Sequence, residues 1–404
     1  MRGFFSSNEI KSTINPSGKP LSCASCGLYK NCDSPKMKPF GNFKKGILNI
    51  GEAPDEVEDR KGRQWQGKAG KLLQRTYQNL GIDLFDDCLN INAVNCHPKN
   101  NKIPTSYQID CCRSVIVSKI IKEYMPKIII VFGDSALYSI IGYRWKKDLD
   151  TIFKWRGFQI PDQDYKCWIC PTFHPSYVEK EDQQVQTVWE QDLQQALSKL
   201  DESFPKMKKP DIRIIKDLNP LRELSGVVAI DYETTGLKPH ASGHRIICAA
   251  VSYKDNKCFS FMIPKTRKER QPFIDLIASK TIGKMAHNMK FEEAWSVHRL
   301  KQSVGFWEWD SMLAAHVIDN RPKISSLKFQ TYVNFGVIDY DSEVSPYLKS
   351  VDGKNGNSMN KVEELIKTEK GTNQLLTYCG LDTIYQYKLA MIQMNQLGYD
   401  FLPF

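Results

Sequence analysis

The chain has 404 residues, 41% of them hydrophobic and 25% charged, which excludes a largely disordered or fibrous protein and allows two hydrophobic cores. No apolar run approaches the roughly 18 residues of a membrane span, so no membrane partner is expected. With 56 basic against 46 acidic residues, the net charge of +10 suits contact with a polyanion without binding by charge alone.

In chain order, the N-terminal residues, with Glu9 and Lys11 soon after Met1, do not make a signal peptide. Twelve cysteines follow, nine of them in the first 200 residues. Without a secretory signal they argue for an intracellular metal or cluster site, not a disulfide framework, and for a cytoplasmic location. Short apolar runs at 47–51, 89–94, 127–132 and 167–171 read as strands. The patterns at 68–80, 109–124 and 182–200 read as helices. Their alternation predicts an α/β/α sandwich around a four-stranded parallel sheet over residues 1–200. Ligands of such sheets bind beyond the carboxyl ends of the strands, where Glu52, the Asn95-Cys96-His97-Pro98 run and His174 fall. Basic residues interleaved with aromatics at 36–40, 144–147 and 265–270 read as solvated surface that can meet DNA.

The proline- and lysine-rich stretch 201–211 reads as a linker. Beyond it, strands at 227–231, 245–253 and 257–263 precede a mainly helical remainder. Residues 212–404 are therefore expected to form a mixed sheet flanked by helices. Asp231 and Glu233 alternate on one strand and project to the same side. Paired carboxylates repel unless a cation lies between them, and hard oxygen ligands suit Mg²⁺ or Mn²⁺. Asn288 and Glu292 are spaced to share a helix face after a strand at 282–286, as are Tyr378 and Asp382. Four acids and a tyrosine could hold two ions about 4 Å apart.

These three motifs resemble the proofreading 3′–5′ exonuclease domain of family A DNA polymerases, a DEDD-type nuclease with a ribonuclease-H-like fold. The segments 309–316 and 327–330 look like phage members. The resemblance implies that Asp231, Glu233 and Asp382 bind the tightly held metal and that Glu292, where many members have Asp, serves the second. It implies that Tyr378 holds the attacking water, and that Thr234, Leu237 and Asn288 lie against the 3′-terminal nucleotide. The sequence ends at Phe404, just past the third motif, so the chain is not expected to extend DNA by itself. A polymerase module or other replication protein is the expected partner.

In the first half, Cys23-Ala24-Ser25-Cys26 and the pair Cys96 and Cys112 supply four thiols suited to Zn²⁺ or an iron–sulfur cluster, and spacing does not choose between them. The runs 51–73, 92–101 and 174–176 resemble the motifs of family 4 uracil-DNA glycosylases, which carry a [4Fe-4S] cluster on cysteines placed as Cys23, Cys26, Cys96 and Cys112 are, with Cys32 and Cys111 as alternates. The resemblance implies that Trp65 stacks on a flipped base where the family has Phe, that Asn92 reads its amide edge, and that Asn101 supports the pocket wall. It makes His174 a donor to the departing base and Glu52 the group that positions water or stabilises the sugar cation. Asp55, Gln64, Gln66 and the run Tyr177-Val178-Glu179-Lys180 depart from the family's pattern. The expected whole is a DNA-processing protein that joins the two modules, resembling the N-terminal part of a phage family A polymerase. A rival expectation makes the first module a non-catalytic reader of DNA or uracil.

Overall fold

In a computed structural model of the chain, residues 18–145 and 147–399 are described. The N-terminal stretch read above for a signal, Lys146 of the basic run 144–147 and the last five residues lie outside them. The chain divides into two compact units, Met1–Lys206 with Tyr332–Val337, and Met207–Thr331 with Ile338–Phe404.

The first unit is built on a five-stranded sheet of β1 (Ile47–Gly51), β2 (Cys88–Asn92), β3 (Ile128–Phe132), β4 (Ile160–Asp162) and β5 (Cys167–Thr172), in the order β2-β1-β3-β5-β4. The four expected strands pair in parallel, and β4 adds an antiparallel edge beside β5. The sheet is thus mixed, and the expectation of four strands missed β4. Three residues with a central proline are too short to show a period, and proline is tolerated at an edge. Every residue of β1, β2 and β3 is buried, as helices on both faces require. The helices Lys68–Asn79, Ser106–Cys112, Ser118–Tyr124 and Gln183–Ser198 supply that cover. Burial of asparagines inside the sheet is made tolerable by pairing. Asn49 donates to Asn90 (3.0 Å), and Tyr77 donates to Asn49 (2.8 Å).

The second unit holds β6 (Asp211–Ile214), β7 (Val227–Thr234), β8 (Ile246–Lys254), β9 (Lys257–Met262), β10 (Gly283–Ala286) and β11 (Trp307–Asp310), in the order β11-β10-β7-β8-β9-β6. From β7 to β9 the strands run antiparallel, whereas β10 and β11 run parallel to β7 on its other side. This is the ribonuclease-H-like arrangement. Strands β6 and β11 carry charges at alternate positions and escape an apolar-run reading. Along β7, Val228, Ile230 and Tyr232 enter a core with Phe261, Phe273 and Trp295. Period-two alternation therefore sends Asp231 and Glu233 to the opposite face. That face is covered by the 28-residue helix Glu369–Gln396, which buries Leu375, Leu376, Tyr378, Cys379 and Asp382.

Asp310 ends β11 and ties the helices beside the acidic strand. Its carboxylate accepts from the N–H groups of Asn288 (3.1 Å), Met289 (3.0 Å), Met312 (2.9 Å) and Leu313 (3.2 Å). One side chain thus satisfies the starts of Met289–Trp295 and Ser311–Ile318. Asp310→Ala is predicted to cost about 2–4 kcal/mol, about one cap for each helix. Thermal unfolding of the variant checks this, and a loss below about 0.5 kcal/mol contradicts the double cap.

Candidate active sites

The exonuclease-like centre begins with Asp231 and Glu233 on β7. Ligand atoms of Asp231, Glu233 and Cys379 all lie within 4.8 Å of one another. Burial, and then the charge of Asp382, raises the Asp231 carboxyl to about 7. Glu233 is pushed well above the usual range by burial and by Asp231. Glu292 projects from Met289–Trp295, is 3% exposed and is likewise raised by burial and by Asp231. Its Oε2 is buried without a hydrogen-bond partner. The phenol of Tyr378 is raised by burial and by Asp382, Glu233 and Asp231. Asp231, Glu233, Glu292, Tyr378 and Asp382 thus share one centre.

The remaining expected residues are placed less uniformly. Thr234 is buried and donates its hydroxyl to the Gly236 carbonyl at 2.8 Å, while Leu237 is 66% exposed. The turn between them is held by Asn360, which donates to the carbonyls of Thr234 (2.8 Å) and Thr235 (2.9 Å). Asn288 does not share a helix face with Glu292. It caps the helix in the left-handed region (φ 80°), because Asp310 captures its N–H and that of Met289. His287, its imidazole lowered to about 4 by burial, pairs with Ser311 at 2.9 Å. Lys328 and Tyr340, to which the sequence reading gave no role, both bond Asp382 Oδ1.

In the first unit the expected base-pocket residues gather at strand ends. Gly51 closes β1, where an added Cβ would lie 2.4 Å from Asn92 Oδ1 and 3.1 Å from the Trp65 ring. Only a glycine lets both approach the backbone so closely. Asn92 ends β2. Its backbone is held by Asn95 through N–H to Oδ1 (3.0 Å) and C=O from Nδ2 (2.7 Å), while its own Nδ2 is buried without a partner. The Trp65 ring lies 5.4 Å from Phe132 and 5.7 Å from His174. His174 is lowered to about 4 by burial and is therefore neutral near pH 7. Its Nδ1 lies 3.2 Å from the Ser176 N–H as an acceptor, which assigns the ring proton to Nε2. Glu52, raised by burial, accepts the Ser135 N–H at 3.1 Å. Asn101 stands elsewhere: it is exposed and meets the His97 ring at 2.8 Å.

The residues that brace this pocket escaped the sequence reading. Trp65 has φ 61°, unusual for a bulky residue. Glu58 holds it there by accepting N–H groups from Trp65 and Gln66, with Asp55 completing a capping box. Asp55 itself has φ −83°, so its place needs no glycine. Asp59 accepts N–H groups from Asp33 (2.9 Å) and Ser34 (2.8 Å) and lies 3.4 Å from His97, beside Cys96.

Cys23 and Cys26 bound a one-turn helix with Ser22 at its N-cap and Gly27 at its C-cap. The Cys96 sulfur accepts the Lys36 N–H at 3.2 Å, and the Cys112 sulfur accepts the Asn95 N–H at 3.3 Å. Burial raises the Cys96 thiol to about 11 and Cys112 to about 12. The electrostatic contacts of Cys96 include Cys32 and Cys23, and those of Cys26 include Cys111, Cys96 and Cys23.

Residues 38–195 match the Uracil DNA glycosylase superfamily model, and residues 213–397 match a 3′–5′ exonuclease model. The type-4 uracil-DNA glycosylase of Pyrobaculum aerophilum is 31% identical over 162 residues, 37% of this chain and 81% of that one. The chain belongs to the type-4 uracil-DNA glycosylase family. The Thermotoga maritima member is 34% identical over 39% of this chain and 77% of its own. A 3′–5′ exonuclease domain is joined to this module. A DNA polymerase of Bacillus phage SP01 is 24% identical over 70% of this chain, which spans 34% of that polymerase. Among solved structures, Brucella melitensis NrnC with bound Mg²⁺ is 18% identical (TM-score 0.34; 47% of this chain, 81% of that one). Escherichia coli RNase D is 14% identical (TM-score 0.33; 47% and 46%). No helix among the described residues is long and apolar enough to cross a membrane.

Glu58, 8% exposed, is raised from 4.5 to about 7 by burial and then by Asp55. The folded chain therefore binds this proton more tightly than the unfolded chain. The stability it confers is fully present below pH 4.5 and is lost as pH rises through about 7, about 3 kcal/mol in all. Glu58→Gln is predicted to become more stable relative to the parent as pH rises from 4.5 to 8, read by thermal unfolding. A pH-independent difference contradicts the assignment.

Proposed function

We propose that the chain excises uracil from DNA through its first unit and degrades DNA from 3′ ends through its second. The observation that carries the reading is the gathering of Asp231, Glu233, Glu292 and Asp382 in one centre, a set of hard oxygen ligands that suits divalent cations. Asp231, Glu233 and Asp382 would hold one Mg²⁺ or Mn²⁺, and Glu292, with its unpartnered oxygen, would serve a second. Divalent ions so held would activate the attacking water and stabilise the leaving 3′ oxygen. Tyr378 orients that water, and exposed Leu237, next to the buried Thr234, packs against the terminal nucleotide with Asn288 nearby.

In the first unit, a flipped base would stack on Trp65 and present its amide edge to Asn92, whose Nδ2 lacks a protein partner. Neutral His174 donates from Nε2 toward the base carbonyl and stabilises the anion as the glycosidic bond breaks. Glu52, anchored by Ser135, positions the attacking water beside the developing sugar cation.

Cys23, Cys26, Cys96 and Cys112 would hold a [4Fe-4S] cluster. Backbone N–H groups aimed at two of the sulfurs fit cluster thiolates. The cluster would act as a cross-link beneath the pocket, because Asp59 ties the loop after Cys32 to the helix that carries Glu58. The working partners are uracil-containing DNA, 3′ ends and a polymerase, in the cytoplasm of a cell or of a phage host.

His174→Ala is predicted to slow uracil release from a labelled oligonucleotide by about 10²–10³-fold. No release by the parent protein would instead favour a non-catalytic reader. Asp231→Ala is predicted to abolish divalent-dependent 3′ degradation while leaving base release intact. Undiminished degradation by that variant contradicts the metal assignment. Anaerobically purified protein is predicted to contain about four iron and four sulfide per chain, lost in Cys96→Ser, and stoichiometric zinc contradicts the cluster.

A further inference from the structure

The acids of the exonuclease centre come from β7 and from the helices Met289–Trp295 and Glu369–Gln396. One cation reaches them from elsewhere. Lys328, on the helix Leu327–Phe335, forms an ion pair with Asp382 Oδ1. Tyr340 donates to the same oxygen at 2.6 Å. The Lys328 ammonium also lies over two aromatic faces, 3.9 Å from the Tyr340 ring centre and 4.3 Å from that of Tyr378. It is thus held between a carboxylate expected to bind metal and the tyrosine expected to hold water. Its side chain is 15% exposed and that of Asp382 is 8% exposed. Its charge also reaches Asp231 and Glu233, where it opposes the other carboxylates.

We propose that Lys328 is the resident counter-cation of this centre and, once divalent ions bind, a ligand for the phosphodiester of the DNA strand. The proposal rests on the exonuclease reading of the site. Without divalent ions, an ammonium against Asp382 supplies the positive charge that paired carboxylates need, and an entering metal must displace it. With two divalent ions, their four charges match those of Asp231, Glu233, Glu292 and Asp382. The ammonium is then a positive charge left without its carboxylate. It stays beside Tyr378 on a flexible stem, and the anion that enters the site is the phosphate backbone. The aromatic faces keep the lysine in the site after the ion pair is broken. This role differs from general attraction by surface lysines, because the same group opposes metal binding and favours DNA binding.

The test uses the full chain and its Lys328→Met variant, which keeps the apolar stem against the rings. Lys328→Arg is the conservative control. Mn²⁺ binding followed by electron paramagnetic resonance is expected to tighten roughly tenfold in Lys328→Met, with one competing charge removed. Binding of a short uracil-free single strand in Ca²⁺ is expected to weaken, and the slope of log affinity against log salt to fall by about 0.7, one phosphate contact. Lys328→Arg is expected to restore the slope. Unchanged Mn²⁺ affinity, or an unchanged salt slope, overturns the proposal. A parent protein that binds Mn²⁺ yet degrades no DNA overturns the exonuclease reading instead, and the Mn²⁺ competition remains measurable.

Discussion

Repulsion between buried carboxylates is the constraint on which the second unit turns. Asp231 and Glu233 leave β7 on the face opposite the apolar core, and the long helix over that face brings Asp382 to them. Glu233, Glu292 and Asp382 are buried, and ionising such groups side by side without cations is costly. In the structure, burial shifts the Asp231 and Glu233 carboxyls upward, and Lys328 pairs with Asp382.

The first unit solves a different problem. Its pocket must stay polar enough to read a base and closed enough to stack on one. Gly51 lets Asn92 and Trp65 crowd the end of β1. Glu58 fixes the strained Trp65 backbone, and Asn95 fixes the backbone of Asn92 while also donating to Cys112. Cys112 and the pocket residue Asn92 are thus linked through Asn95.

Much of this was legible in the residues. Buried parallel strands show as continuous apolar runs, and acids at i and i+2 on a strand point together whatever the surroundings. What stayed hidden depends on contacts distant in sequence. Lys328 and Tyr340 lie more than 40 residues from Asp382, with nothing in their spacing to mark them. Asp310 looked like one letter of a motif, yet its four backbone hydrogen bonds moved Asn288 out of the helix expected to include it. Strands β4, β6 and β11 are short edge elements whose pairing, not their composition, makes them strands.

The most direct measurement is anomalous diffraction from crystals of the protein soaked in Mn²⁺. The account predicts two peaks about 4 Å apart, one among Asp231, Glu233 and Asp382 and the other toward Glu292, with the Lys328 ammonium moved off Asp382. Carboxylates that remain bare of metal at saturating Mn²⁺, or peaks confined to other surfaces, would contradict it.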